Sequence, residues 1–435
     1  MAQDIQGVGL RLASRFAGSR WAEKYGLRKP VERIAYLSTR AGFRFAGKLL
    51  QKRQQPDPTP GERLPNSREK QLFDLSLTDE QQMIKDSVRA YASDIVRGLA
   101  HDANEACALP DTYLQDAMAL GLNLFAVPES MGGAASGYSP TTSAIIAEEL
   151  AWGDLSLAFA TLAPVAVANA LVRWGTQQQQ QRWLPLWLGE QPVQAAIAVQ
   201  EQHPLFSADK LRCSATSQRK GFTLNGEKTL VPLGGKAQLY LVAAHYHGKP
   251  RLFIVPADTA GLSFAAQPAM GLRAAATGTL TLDNVKLDHN ALLGGEHSDF
   301  HYRDFLDLGQ LHWCALATGT CQAALDYLIP YCNEREAFGE PISHRQSVAF
   351  MLANMAIELE SMRLLTWRAA ALAEQGKAFH REAYLAHILC ADKAMEIGTN
   401  AVQLLGGHGF TKEHPAERWY RDLRVLGCIN SGLHL

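Results

Sequence analysis

Asp307 and His312 carry titratable side chains, each within about one helical turn of Gly309, and are candidates for accepting a proton from a substrate. Further on, Arg335 stands before Phe338-Gly339. A planar guanidinium grips phosphate through two parallel hydrogen bonds, so this arginine is a candidate for holding an anionic ligand. Near the end, the apolar run Ala401-Val402-Gln403-Leu404-Leu405 stops at Gly406-Gly407, with Gly409 beyond. Glycine takes positive φ at little cost, and helices commonly end on it. His434 is titratable too, but it lies on an end expected to fray. The seven cysteines, at 107, 213, 314, 321, 332, 390 and 428, are scattered, with no C-x-x-C pair and no His/Cys cluster. They predict reduced thiols in a cytosolic chain and no bound metal.

These residues need elements to hold them. A length of 435 residues predicts two to four packed units. A hydrophobic share of 47% and a mean hydropathy of −0.13 fit a soluble globular chain with a large core. No long run of apolar, uncharged residues stands out, so no transmembrane helix is expected. No charged segment followed by an apolar stretch opens the chain, so no secretory signal is expected either.

The net charge of −1 hides an asymmetry. Residues 1–54 carry twelve Lys/Arg against three Asp/Glu, which leaves the remainder at net −10. A basic head on an acidic body points to an anionic surface, whether membrane, nucleic acid or another subunit. The rival reading is a solvated, partly helical extension. Residues 1–53 mix Arg with aromatic and aliphatic residues, as in Arg33-Ile34-Ala35-Tyr36-Leu37, a composition able to lie on a membrane interface. The expected location is therefore the cytoplasm, with peripheral membrane contact through this segment. Residues 54–74 are a linker, because Gln54–Asn66 holds four prolines that forbid a regular helix or central strand.

Helical patterns occupy 75–190. Thr78 is placed to cap a helix whose first turn holds Asp79 and Glu80, and apolar residues recur at Met83, Val88, Tyr91, Ile95 and Val96. Thr141–Trp152 and Leu155–Val172 also read as helices. From 191 to 296 the period changes. Gly221–Glu227, Leu239–His245, Arg251–Val255 and Gly278–Leu282 read as strands, and Asn225-Gly226 predicts a type I′ hairpin turn. From 297 to 435 long helices return over His301–Asn333, His344–Gln375 and His380–Leu405. Met351, Leu352, Met355, Leu359, Met362 and Leu365 form one apolar face, expected to be core. The predicted architecture is mainly α, with a β-domain inserted between a helical N-terminal domain and a C-terminal four-helix bundle.

Several stretches carry a family resemblance. Gln403-x-x-Gly406-Gly407-x-Gly409-Phe410, then Pro415-x-Glu417-x-x-x-Arg421-Asp422, resembles the C-terminal signature of the acyl-CoA dehydrogenases. Leu77-Thr78-Asp79-Glu80-Gln81, Val127-Pro128-Glu129-x-x-Gly132-Gly133 and Glu148-Glu149-Leu150-Ala151 resemble their N-terminal domain. Arg335-x-x-Phe338-Gly339 and Gln346 resemble the part of the FAD site that a neighbouring subunit supplies. The resemblance covers residues 75–432 or so, and the basic head is similar to the extension of longer bacterial members.

What the resemblance implies is dehydrogenation of an acyl-CoA thioester, as in fatty acid β-oxidation. A carboxylate takes the α-proton and the flavin of FAD accepts the β-hydride. It implies cofactor contacts at Arg335, Phe338, Gln346, Gln403, Gly406, Gly407, Gly409 and Glu201. It also implies a homodimer or tetramer, or a hetero-oligomer with an active paralogue, and no nucleic acid. The departures are as informative. Asn430 stands where the family places its catalytic Glu, and a carboxamide takes no proton near neutral pH. The second position used by some branches aligns with Gly309, so Asp307 and His312 become substitute bases to test. The glycine-rich flavin loop is replaced by Gln200-Glu201-Gln202-His203-Pro204-Leu205-Phe206-Ser207, where only Glu201 matches. The stacking Trp and hydroxyl donor become Leu230 and Pro232. FAD binding is expected to be weak and turnover impaired. The competing expectation is a catalytically silent subunit with a structural or regulatory role.

Overall fold

A computed structural model describes residues 76–435 except Ser136, Pro204, Asn430 and Ser431. The basic segment 1–53, the linker 54–74 and Asn430 lie outside the described residues.

Thr78 caps α1 (Asp79–Tyr91) through a reciprocal box: its hydroxyl accepts from Gln81 N, and the Gln81 side chain accepts from Thr78 N. This satisfies two donors that a helix start leaves orphaned. α1 passes through a π-turn, Ala92–Val96, into α2 (Arg97–Ala106). The wider turn shifts the side-chain register. Val88 and Val96 are buried, whereas Met83 and Ile95 of the apolar pattern stay exposed at 70% and 41%. Short helices α3 (Tyr113–Asp116) and α4 (Leu122–Phe125) lead to α5 (Pro140–Gly153), α6 (Leu155–Trp174) and α7 (Gln177–Trp183).

α6 is long and apolar enough to cross a membrane by length and composition. The sequence predicts this helix over Leu155–Val172 and no membrane span, because Ser156, Thr161 and Asn169 interrupt an otherwise apolar run. It is spent on the core: Leu155 to Pro164 are buried without a break. Each large apolar side chain so buried stabilises by about 1.5–3 kcal/mol relative to exposure.

Seven strands follow in one sheet, ordered β1-β4-β2-β3-β7-β6 with β5 on β4. They are β1 (Ala195–Ala198), β2 (Ser214–Gln218), β3 (Gly221–Val231), β4 (Leu239–Tyr246), β5 (Lys249–Pro256), β6 (Leu262–Ala266) and β7 (Gly278–Leu287). Asn225-Gly226 is not a hairpin turn. β3 runs straight through it, pairing with β2 on one side and β7 on the other, with a register shift against β7. Gly226 has φ +146°, and a Cβ there would lie 2.6 Å from Cys213 Cα. The glycine therefore serves a bulge and a close strand approach.

The C-terminal helices are α8 (Tyr302–Glu334), α9 (Gln346–Glu374), α10 (His380–Leu405) and α11 (Ala416–Leu423). α8 packs on α9, α10 and α11, and also along α5. Met355, Leu359 and Met362 are core, as their spacing predicts. Glu148 on α5 accepts from Arg363 Nε at 2.7 Å and Trp367 Nε1 at 3.2 Å, both on α9, while Glu149 pairs with Arg89 of α1. Glu148 thus fastens the two helical domains together, and Glu149 ties α5 to α1 within the first. The observed order, helical domain, β-domain, helical bundle, is the one the sequence predicts.

Candidate active site

The site residues fall into two sets. The first gathers at one end of the bundle. α8 stops at Glu334, and a two-residue hairpin, β8 (Glu336–Ala337) with β9 (Glu340–Pro341), returns the chain to α9. Arg335 is exposed, and no carboxylate among the described residues pairs with it. Phe338 at the hairpin tip is 92% exposed with φ +57°. Gln346 is exposed and opens α9, where the first N–H groups lack partners within the helix. α10 ends at Leu405 because Gly406 turns to φ +59°. A Cβ on Gly406 or Gly407 would meet nothing within 4 Å, so this turn is an open shelf. Gly409 is different: a Cβ there would lie 2.2 Å from Val402 O, so it is required by packing. Tyr331 reaches His408 Nδ1 at 3.5 Å and Tyr327 reaches His414 Nδ1 at 2.6 Å. These bonds hold the glycine turn at the Arg335 end of α8.

The second set lies where the β-domain meets the segment before and after Asn430. Gln200 Nε2 donates to Cys428 O at 3.0 Å. Leu205 is wholly exposed at φ +55°, Leu230 also takes φ +55°, and Leu233 takes φ +76°. Left-handed backbone costs a non-glycine residue roughly 1–2 kcal/mol. The loops keep turns that glycine would make more easily, with bulky side chains in place. Glu201 does not face this surface. It is 4% exposed and accepts from Lys228 Nζ at 2.8 Å, Arg212 N at 2.7 Å and Cys213 N at 3.0 Å. Burial pushes its carboxyl up, but the Lys228 ammonium and the two N–H groups outweigh that and hold it below the ordinary range. Among the described residues, no hydrogen bond or ion pair joins this set to the first.

The two substitute bases are not brought together. Asp307 is fully buried and bound by Arg303 Nε at 2.9 Å and His380 Nδ1 at 2.7 Å. His312 is also fully buried, and its Nδ1 accepts from Leu435 N at 3.2 Å. Burial pushes its pKa down to about 3. A ring that resists protonation so strongly is a poor proton acceptor at neutral pH.

The end expected to fray is instead the best-buried stretch of the site. Leu433, His434 and Leu435 are 0%, 0% and 1% exposed. The His434 ring stacks on Tyr138 at 5.6 Å and tilts against Trp174 at 4.6 Å and Phe305 at 5.8 Å. The Tyr138 hydroxyl donates to Leu435 O. Aromatic packing outweighs the entropy of a terminal segment here. Nothing in the local sequence points to this, because Tyr138, Trp174 and Phe305 are remote along the chain.

Arg421 and Asp422 have structural work. Asp422, 1% exposed, accepts from Ser156 Oγ of α6 at 3.1 Å and from Leu272 N of the β-domain at 2.8 Å. Arg421 binds Glu417, Asn104 and Met270 O. One helix turn thus ties all three domains. Burial, and then the neighbouring Asp154 charge, push the Asp422 carboxyl up to about 7. The folded chain then holds a proton that the unfolded chain, near the ordinary 3.9, has released. Stability from this group is present below about pH 4 and lost as pH rises towards 7. Asp422→Asn keeps an acceptor for Leu272 N and removes the charge. Urea midpoints should therefore fall less for the variant than for wild type between pH 5 and pH 8. Parallel profiles for the two proteins would refute the buried proton.

Comparison with known proteins bears on this site. Family models match the chain over residues 78–190 (acyl-CoA dehydrogenase, N-terminal domain), 196–285 (middle domain) and 302–430 (C-terminal domain). A mitochondrial short-chain specific acyl-CoA dehydrogenase of Rattus norvegicus is 31% identical over 365 residues, covering 81% of this chain and 86% of the relative. A probable acyl-CoA dehydrogenase of Bacillus subtilis is 31% identical over 365 residues, covering 81% and 95%. The solved butyryl-CoA dehydrogenase of Megasphaera elsdenii superposes with a TM-score of 0.76 at 27% identity, covering 82% of this chain and 96% of that one.

Proposed function

The chain belongs to the acyl-CoA dehydrogenase family, and from that premise we propose that it is a FAD-binding oxidoreductase of acyl-CoA thioesters with impaired CH–CH dehydrogenation. The observation that carries the impairment is the state of the two substitute bases. Asp307 is occupied by Arg303 and His380, and His312 by the backbone of Leu435. Both are fully buried, so neither is presented to a substrate.

The residues fit one part of FAD better than the other. Unpaired Arg335, exposed Gln346 and Gln403, and the open turn at Gly406-Gly407 suit a pyrophosphate and its nucleoside. At the β-domain, Pro232 has no N–H, and Leu230 offers no aromatic face. FAD, when bound, supplies the hydride acceptor. The chain's own contribution is to hold the phosphates from one side and to leave the ring poorly gripped. Because no hydrogen bond or ion pair among the described residues joins the two sets within one chain, the reading requires a second copy to complete the site.

A partner face is available. Phe350, Ile357 and Leu364 repeat every seventh residue on α9 at 58%, 63% and 43% exposure, with Tyr384 and Ile388 of α10 exposed at 52% and 48%. An apolar heptad stripe left uncovered is typical of a helix that meets another chain. The same stripe favours a second reading, a catalytically silent subunit paired with an active paralogue.

Gel filtration with light scattering and flavin absorbance tests both parts. Expected is a species of at least two chains at micromolar concentration that loses much of its added FAD on the column. Arg335→Ala should lower the retained flavin further without changing the mass. A monomer would sink the shared site, and stoichiometric FAD surviving the column would show that the ring is held after all.

A further inference from the structure

Beside α6 lies a cavity of about 360 Å³. Its long wall is Leu162, Val165, Asn169 and Val172, one helical stripe that runs about 15 Å at 1.5 Å per residue. Ile146 of α5 and Phe125 of α4 face it. The volume falls at the lower end of small-molecule sites, which are mostly apolar with a few polar groups that fix orientation. Asn169 is such a group: half-buried, with no hydrogen-bond partner among the described residues.

The charge at the rim decides the ligand. Glu80 and Glu374 line the cavity, and among the described residues no Lys, Arg or His does. Glu374 is fixed in place by Ser139 Oγ at 3.0 Å and Thr141 N at 3.3 Å. Glu80, at the start of α1, has no ion pair among the described residues. The neighbouring cation, Arg173, lies over the Tyr138 and Trp174 rings at 5.2 and 5.1 Å and reaches Asp304 at 4.0 Å, so its charge is answered elsewhere. Leu435 closes one part of the wall, anchored by Tyr138 and His312.

We propose that this cavity binds one linear aliphatic molecule with a cationic head, its chain along the α6 stripe and its head against Glu80 and Glu374. The phosphates of a CoA thioester would meet two carboxylates there and be repelled. The proposal is independent of the dehydrogenase reading and survives its failure.

Calorimetric titration of the full chain at low salt tests it with three probes below their aggregation concentrations: decylammonium, decanol and decanoate. Expected is binding of decylammonium at least about tenfold tighter than decanoate, a gap that narrows as salt screens the rim. Val165→Phe or Asn169→Phe should fill the cavity and abolish the heat, with circular dichroism confirming the fold. Glu80→Lys, an exposed change, should reverse the order of the charged probes and decides the matter if both fillers misfold. Equal binding of all three probes, heat that persists in a folded filler variant, an order unchanged by Glu80→Lys, or no heat at all would each overturn the proposal.

Discussion

Reduction of an artificial electron acceptor by short-, medium- and long-chain acyl-CoA, with FAD in excess, is expected to run at least ~10²-fold below a base-containing relative assayed alongside. Loss of a positioned base alone removes ~10²–10⁴-fold, or roughly 3–5 kcal/mol of barrier stabilisation. Asn430→Glu is expected to restore less than about a tenth of that deficit. A new carboxylate helps only when thioester and flavin are held in attacking geometry. The flanks of position 430 argue that they are not. Leu433, His434 and Leu435 are packed into the aromatic box, and in the β-domain Leu205 and Leu230 put bulky side chains on left-handed backbone while Leu233 is buried. Robust wild-type turnover would refute the impaired reading and return attention to Asp307 and His312. Full rescue by the single substitution would show an intact pocket that lacked only its base.

The second large effect concerns Lys228. Replacing it with Met should cost about 3–5 kcal/mol, read as a lower denaturant midpoint. Lys228 is completely buried, and its ammonium meets Glu201 at 2.8 Å and Val199 O at 3.1 Å. Without it, the Glu201 carboxylate stays buried with two backbone donors and with His203 Nε2 at 3.8 Å. Removing one partner of a buried pair is worse than removing both, because the remaining charge has lost its compensation. The double change Lys228→Met, Glu201→Gln should therefore recover much of the loss. This separates two roles for Glu201. If it held the cofactor, Glu201→Gln would lower retained flavin while leaving the midpoint near wild type. The geometry expects the reverse, a shifted midpoint with flavin unchanged.

The chain's local patterns determined the architecture. Long helices were legible at 302–334, 346–374 and 380–405 because one apolar face must recur with the helical period to reach a core. Gly406 marked the end of α10 because its backbone needs positive φ. The motifs around Arg335 and Gly406 were enough to name the family, and the departures at Asn430, Leu205, Leu230 and Pro232 were visible as residue types alone.

Tertiary structure decided what those residues do. Asn225-Gly226 became a bulge because strands on both sides kept β3 in the sheet. Glu201 turned inward because Lys228 offered a buried charge. Asp422 became a three-domain tie, and His434 left solvent for Tyr138, Trp174 and Phe305. The physical reason is the same in each case. A residue's period, cap or turn is fixed by its neighbours in the chain, whereas its charge state and burial are fixed by partners brought close only by folding.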